Sequence, residues 1–346
     1  MSATDHTPLA HSVPKPVVVL IGPTAVGKSQ IAIHIAKTLG LEVLSADSRQ
    51  VYRGMDIGMD KPTLDERSGV PHRLIDLVDP DQPFNVGEYR RHAMIEIERL
   101  HHDGRVPLVV GGTGLYVRAL LRGLWDGPQA DWKFRQRLQD EARDNSPQWL
   151  HERLQEVDPD SAMRLHPRDQ AKIIRALEVH HILKRPLSEL HRRHAFADSP
   201  FTSLIIGLLR DRESLYRRIN ARVEIQLAKG LVEETRRLLS RGYGRTLGSM
   251  KGLGYRQIAG FLAGEYSYDE AVRQLKRDTR HFAKRQLTWF RKEPGIEWIA
   301  IDENESLEKV ALRVERQIRD FLSGQIRTGS AKNPAPRELI RAGSIE

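Results

Sequence analysis

Apolar positions along the chain follow two periods. Continuous, largely β-branched runs at Val17–Ile21, Glu42–Ala46, His72–Leu77, Val106–Gly111, Ser203–Leu208 and Ile296–Ile301 predict strands. Stretches of helical period separate them: in Val86–His101, Tyr89, Ala93, Ile97 and Leu100 share one stripe. Residues Ile31 to Ile35 alternate as a strand would, but Ile31, Ile35 and Leu39 also repeat at helical spacing. Their place behind a strand and a glycine-bounded loop predicts a helix over Gln30–Leu39. Strand and helix in alternation predict an α/β fold, a parallel sheet wrapped by helices. Ligands of such sheets bind beyond the carboxyl ends of the strands. The residues just after Ala46 and Val110 are therefore expected to approach the first loop.

From Gly123 to His194 strand signals vanish, and a highly charged stretch reads as helices broken at Ser146-Pro147, Asp158-Pro159 and His166-Pro167. Ser203–Leu208 returns to β character, so this stretch is expected to be a helical insertion. Asp211 to Lys292 is helical again, with a glycine-rich interruption from Gly242 to Gly254. From Ser323 on, large apolar residues are scarce, which predicts disorder. The expected organisation is a disordered N-terminus (1–15), an α/β core (16–122), a helical insertion (123–200), a return to the core with basic C-terminal helices (201–322) and a disordered tail (323–346).

Composition sharpens this only in part. A chain of 346 residues can bury a full α/β core and carry an extra lobe. It holds no cysteine, which rules out disulfides, thiolate zinc sites and cysteine nucleophiles. No apolar stretch approaches the ~20 residues that span a bilayer, and Met1 to Pro16 lacks a signal-peptide apolar segment. A soluble, cytoplasmic protein with no membrane partner is expected. Fifty-five Lys and Arg against 46 Asp and Glu give a net charge of +9, a modest pointer to a polyanionic partner.

The first loop carries the clearest chemistry. Gly22, Pro23, Thr24, Ala25, Val26, Gly27, Lys28 and Ser29 fit G-x-x-x-x-G-K-[ST]. Such a P-loop wraps backbone N–H groups around a di- or triphosphate, its lysine reaches the terminal phosphates, and its Ser29 hydroxyl helps hold Mg²⁺. The loop alone does not say which phosphoanhydride it binds. After the second strand, Asp47 stands where a carboxylate faces that phosphate and an incoming acceptor. It suits a general base, an outer ligand of Mg²⁺, or merely a helix N-cap. The fourth strand ends in Gly111-Gly-Thr-Gly-Leu-Tyr116. Hydrolytic motors place an acid there, so glycines and Thr113 favour group transfer; a tight strand–helix turn is the plainer reading.

Arg217, Arg218 and Arg222 begin a helix after a core strand. Arg222 is placed to reach a phosphate as a second clamp, while Arg217 and Arg218 fit a solvated face. As a helix, Asp269–Lys292 puts Val272, Leu275, Phe282 and Trp289 near one stripe, with Arg273, Arg277, Arg280, Lys284 and Arg291 beside it. A basic ridge along an apolar seam suits a nucleic-acid backbone, and Lys172 with Arg175 in the insertion adds a second basic element. The histidines show no metal-site spacing. A P-loop small-molecule kinase and a non-catalytic RNA-binding protein remain open on these residues alone.

The motifs GPTAVGKS (22–29), SADSRQVYRGMDIG (45–58), GGTGLY (111–116), DQAKIIRALEV (169–179), GLGYRQ (252–257) and FAKRQLTWFRK (282–292) run in order across most of the chain. In this the chain resembles the bacterial-type tRNA dimethylallyltransferases, also called tRNA isopentenyltransferases. The resemblance implies a P-loop NTPase-like fold. It implies transfer of a dimethylallyl group from dimethylallyl diphosphate to N6 of adenosine 37, beside the anticodon in the tRNA anticodon stem-loop, with Mg²⁺ as cofactor. Asp47 would be the base, with Lys28 and Thr24 in the catalytic set, and Arg222 the added pyrophosphate clamp. Asp47, Ser48, Arg49 and Gln50 would contact the target nucleotide. Thr113, Arg135, Ala171, Lys172, Ile173, Ile174 and Arg175 match further tRNA-contact positions. So do Lys251, Gly252, Leu253, Gly254, Tyr255 and Arg256, with Arg280, Lys284, Arg285 and Arg291 on the basic helix. A monomer is expected. Two departures stand out: Met59-Asp60 replaces a more frequent Thr-Ala, and Ala171 replaces a frequent arginine.

Overall fold

The computed structural model describes residues 15–125, 127–194 and 200–324. The disorder expected at the two ends falls outside them, except that Lys15 opens the first strand and Ser323 and Gly324 form a turn after the last helix. Before the insertion the elements are β1 (Lys15–Ile21), α1 (Lys28–Leu39), β2 (Glu42–Ala46), α2 (Leu64–Arg67), β3 (His72–Arg73), α3 (Val86–His102), β4 (Pro107–Gly111) and α4 (Gly114–Arg122). There follow α5 (Trp132–Arg143), α6 (Trp149–Val157), α7 (Pro159–Arg164), α8 (Gln170–Leu183) and α9 (Leu187–His194). The remainder is β5 (Phe201–Leu209), α10 (Arg212–Ala228), α11 (Leu231–Ser240), α12 (Tyr255–Leu262), α13 (Tyr268–Phe290), β6 (Ile296–Ala300) and α14 (Leu307–Leu322). Arg122–Ser199 forms one compact unit, and the segments on either side of it form the other.

The larger unit is built on a six-stranded sheet in the order β3-β2-β4-β1-β5-β6, with every pairing parallel. In its middle, Leu20 lies opposite Val110 of β4 and Ile206 of β5. The pleat of β1 divides two apolar layers. Val18 and Leu20 pack with Ile31 and Ile35 of α1 and with Val310, Val314 and Ile318 of α14. Val17, Val19 and Ile21 pack with Tyr89, Ala93 and Ile97 of α3 and with Tyr116 and Leu120 of α4. Burial on both faces is why β1 reads as an unbroken apolar run and not an alternating one.

Three expectations are corrected. The run at His72–Leu77 pairs in the sheet only at His72 and Arg73, because Leu74 and Asp76 adopt φ of 64° and 55° and turn the chain out. The long helical region breaks again at Gly230, whose φ of 98° few other residues tolerate, and between α12 and α13. The seam of α13 is rotated from the expected stripe. Ala271, Leu275, Thr279, Ala283, Gln286 and Phe290 are buried, while Val272, Phe282 and Trp289 are only half-buried. A third apolar cluster joins this region to the stretch after β2, with Val51, Met55, Val223, Leu238, Tyr255 and Leu275.

The smaller unit has its own core of Leu138, Leu150, Leu154, Ile173, Ile174 and Leu177. Its helices stop at the expected prolines: α6 ends before Pro159, and Asp158 caps α7 by accepting from the Ser161 N–H at 3.0 Å. Among the described residues no helix is long and apolar enough to cross a membrane.

Candidate active site

The carboxyl ends of β2, β4 and β1, three adjacent strands, open into one cavity of about 580 Å³. The chain leaving β1 turns toward β2, and the next strand after β4 is β5 on the opposite side. This is the reversal point at which such sheets bind ligands. The loop after β1 enters α1 through Gly27, at φ 115°, with no side-chain cap and no acid in the first turn. The helix N-terminus thus keeps free N–H groups and a positive end for an anion. Ala25 also sits at positive φ (65°), as a loop that curls its N–H groups inward requires.

Lys28 Nζ donates to the carbonyls of Gly22 at 2.9 Å and Pro23 at 2.8 Å. Burial, and then the nearby Arg222, pulls its pKa down to about 8, against the opposing pull of Asp47 and Asp60. Thr24 is held from two sides. Its Oγ1 accepts from Arg222 Nη1 at 2.9 Å, and its N–H donates to Gln286 Oε1 at 2.8 Å. Arg222 Nη2 also pairs with Asp60 at 3.1 Å.

Asp47 follows β2 and lines the cavity with Thr24, Lys28 and Ser29. Its Oδ1 accepts from the Arg49 N–H at 2.8 Å, so it caps a turn, though no helix follows. The turn is pinned by Thr113 Oγ1, which accepts from the Ser48 N–H at 2.9 Å, and by Arg49, which donates to the Gly248 carbonyl at 2.8 Å. Gln50 accepts from Ser45 Oγ at 2.9 Å. Lys251, Gly252, Leu253, Arg256 and Arg285 line the same cavity.

An IPP transferase family model matches residues 50–293, and an isopentenyl transferase model matches residues 15–77. The chain belongs to the IPP transferase family. A tRNA dimethylallyltransferase of Syntrophobacter fumaroxidans is 49% identical over 312 residues, 90% of either chain. The full-length tRNA isopentenylpyrophosphate transferase of Bacillus halodurans superposes with a TM-score of 0.67 at 38% identity, over 90% of this chain and 97% of that one. A eukaryotic dimethylallyltransferase acting on tRNA reaches a TM-score of 0.78 at 27% identity, over 95% and 85% of the two chains. The α/β, P-loop NTPase-like architecture expected from the sequence is thereby shared with solved members of the family.

Of the other expected contacts of this IPP transferase, Gly254, Tyr255, Arg280, Lys284 and Arg291 of the larger unit are outside the lining of the cavity. Tyr255 is buried, and its hydroxyl donates to the buried Glu234, so its side chain is a structural anchor. Gly254 is buried beside it. Ile173 and Ile174 sit in the core of the smaller unit, out of reach of a surface ligand, whereas Ala171 and Lys172 are exposed. Arg135 grips the fully buried Glu178 through Nε and Nη2, both at 2.7 Å, and Arg175 joins it at 2.6 Å. Burial alone would raise the Glu178 pKa, but the two arginines hold it below the usual carboxylate range. Along α13, Arg273 pairs with Glu270 and Arg277 with Asp278, which also engages Arg256 at 2.7 Å. Among the described residues no acid pairs with Arg280, Lys284, Arg285 or Arg291.

Gln286 is the functional residue that sequence reasoning missed. It bridges the Thr24 N–H and the Gly112 carbonyl, donating to the latter from Nε2 at 2.9 Å. A Cβ at Gly112 would lie 2.2 Å from that nitrogen, and one at Gly114 would lie 2.1 Å from the Trp289 ring. The glycines expected to admit a ligand are therefore required first by α13. The signal was available: a glutamine recurring at helical spacing with Leu275, Thr279 and Ala283 is a polar group on a buried face.

Proposed function

We propose that the chain transfers a dimethylallyl group from dimethylallyl diphosphate to N6 of the anticodon-adjacent adenosine in tRNA, releasing pyrophosphate. The reading is carried by one observation: Lys28, Arg222, Thr24 and Asp47 surround a single cavity at the strand ends, with no acid ending β4.

The adenine amine is a weak nucleophile, because its lone pair is delocalised into the ring. Asp47 accepts its proton as the N–C bond forms and the C–O bond to the diphosphate breaks. Charge then grows on the leaving pyrophosphate. Lys28, Arg222 and the loop N–H groups stabilise that charge where it develops. Mg²⁺ fits the residues present as an oxygen-bound ion, since Ser29 offers a hydroxyl to the cavity. Bound there with the diphosphate, it would add positive charge at the leaving group.

The target base must leave its stack to enter such a cavity. Ser48, Arg49, Gln50 and Thr113 would frame it, and Lys251 with Arg256 would meet the adjoining loop. We assign the stem contacts to Arg280, Lys284, Arg285 and Arg291, and to the exposed face of α8 in the smaller unit, which acts as a tRNA-contacting insertion. The chain works as a cytoplasmic monomer in this reading.

The test is reconstitution with Mg²⁺, dimethylallyl diphosphate and tRNA, followed by digestion to nucleosides. N6-dimethyladenosine is not the product sought; N6-dimethylallyladenosine is, and its absence defeats the proposal. Asp47→Ala should cut turnover by ~10²-fold or more while tRNA binding persists. Intact single-turnover chemistry in that variant would remove Asp47 from its role.

A further inference from the structure

The loop Asp56–Asp60 carries a carboxylate into the diphosphate end of the cavity. Glu234 fixes this loop from one side, accepting the N–H groups of Asp56, Ile57 and Gly58 at 3.0 to 3.1 Å. Gln226 donates to the Ile57 carbonyl at 3.1 Å, and Gln50 reaches the Asp60 carbonyl at 3.4 Å. Asp60 itself is held at φ 51°, a left-handed conformation that aspartate tolerates better than most residues with a Cβ. Its Oδ2 meets Arg222 Nη2 at 3.1 Å, while Nη1 of the same guanidinium holds Thr24. The carboxylate also lies near enough to Lys28 to oppose the fall in its pKa.

We infer that Asp60 is a built-in competitor for the diphosphate clamp. With no anion bound, its carboxylate neutralises Arg222 and holds the guanidinium against the P-loop threonine. A diphosphate arriving beside Lys28 meets that carboxylate as a like charge and must draw Arg222 away from it. The same pairing re-forms against pyrophosphate after transfer. Asp60 therefore weakens the hold on donor and product alike, and hastens emptying of the clamp. The inference rests on the proposed reading of the cavity as a diphosphate site.

Calorimetric titration of the full chain with inorganic pyrophosphate, in EDTA at low ionic strength, tests it. Asp60→Asn keeps the side-chain shape and suits the left-handed backbone. It should bind about three- to ten-fold more tightly than wild type, the scale of a partly exposed charge interaction. The gain should shrink with added salt. Asp60→Gly, which removes the backbone strain, reads the same quantity if the asparagine variant folds poorly. A disturbed fold would loosen binding, so tightening marks the electrostatic role. In an Arg222→Gln background the Asp60→Asn gain should largely vanish. Unchanged or weaker binding by both Asp60 variants overturns the inference, and so does a gain that persists at full size without Arg222. A wild-type chain that binds no pyrophosphate, in EDTA or with Mg²⁺ added, would overturn both this inference and the diphosphate reading beneath it.

Discussion

Gln286 offers the sharpest test of how α13 supports the site. Its amide is buried and makes two bonds of opposite sense: it accepts from Thr24 N–H at 2.8 Å and donates to the Gly112 carbonyl at 2.9 Å. Gln286→Leu preserves volume and strands both backbone groups. The Gly112 carbonyl lies in a buried segment and loses its partner at a cost of about 1–3 kcal/mol, whereas the half-buried Thr24 N–H can recruit water and loses about 1 kcal/mol. The sum is a destabilisation of about 2–4 kcal/mol. The activity loss should be larger than stability suggests, because Thr24 shapes the P-loop apex and a misplacement of ~1 Å costs on the order of 10²-fold in rate. Gln286→Glu separates the two bonds. Glutamate still accepts from Thr24 N–H but cannot donate to Gly112, and it sets a negative charge beside the diphosphate loop. Pyrophosphate affinity should therefore fall in the order wild type, Gln286→Leu, Gln286→Glu. Titration calorimetry for binding and urea unfolding for stability measure the two effects. A Gln286→Glu chain that binds pyrophosphate like wild type would refute the bridging role.

Two further predictions concern charge. Lys28 carries a pKa lowered to about 8, so between there and its ordinary value the folded, anion-free lysine binds fewer protons than a free one. Pyrophosphate affinity should then weaken as pH rises past about 8, approaching ten-fold per pH unit; Lys28→Arg, always protonated, should lose this dependence, and identical profiles in the two chains would contradict it. Replacing both Arg280 and Lys284 with alanine should lower the slope of log K for tRNA against log salt by about 1–2, with pyrophosphate affinity unchanged as the folding control. An unchanged slope would make that part of α13 an ordinary solvated face.

The sheet and its ligand end were legible because buried parallel strands leave continuous apolar runs. Five of the six appear where the pattern put them, within one or two residues at each end. His72–Leu77 misled because apolar content says nothing of backbone hand: Leu74 and Asp76 take positive φ, and the N–H groups of Asp76 and Leu77 donate to the Gln50 and Val51 carbonyls in the stretch after β2. The P-loop, Asp47 and Arg222 were readable since each stands at a fixed place relative to a strand end. Gln286 and Glu234 were harder to place, because most of their partners are backbone groups more than 170 residues away, although Glu234 also accepts from the nearer Tyr255 hydroxyl. Such bonds are satisfied only in the folded chain and leave a sequence trace only as a polar residue on a buried face.

The arginines teach a different lesson. Counting them along the sequence treats each as free charge, yet Arg135 and Arg175 share the buried Glu178, and Arg273 and Arg277 are tied to neighbouring acids. Arg135 and Arg175 cannot both release Glu178 without stranding a buried carboxylate, which costs several kcal/mol, whereas the partners of Arg273 and Arg277 are only partly covered. A paired guanidinium can still present its remaining N–H groups to a phosphate, since five donors exceed what one carboxylate accepts. Arg222 uses this surplus at the cavity, with one donor on Thr24, one on Asp60 and others left for an anion. In the proposed reading, the P-loop is half of a clamp whose other half is Arg222, already paired with Asp60. A clamp balanced by its own carboxylate would suit an enzyme that must let pyrophosphate go rather than pass a phosphoryl group on.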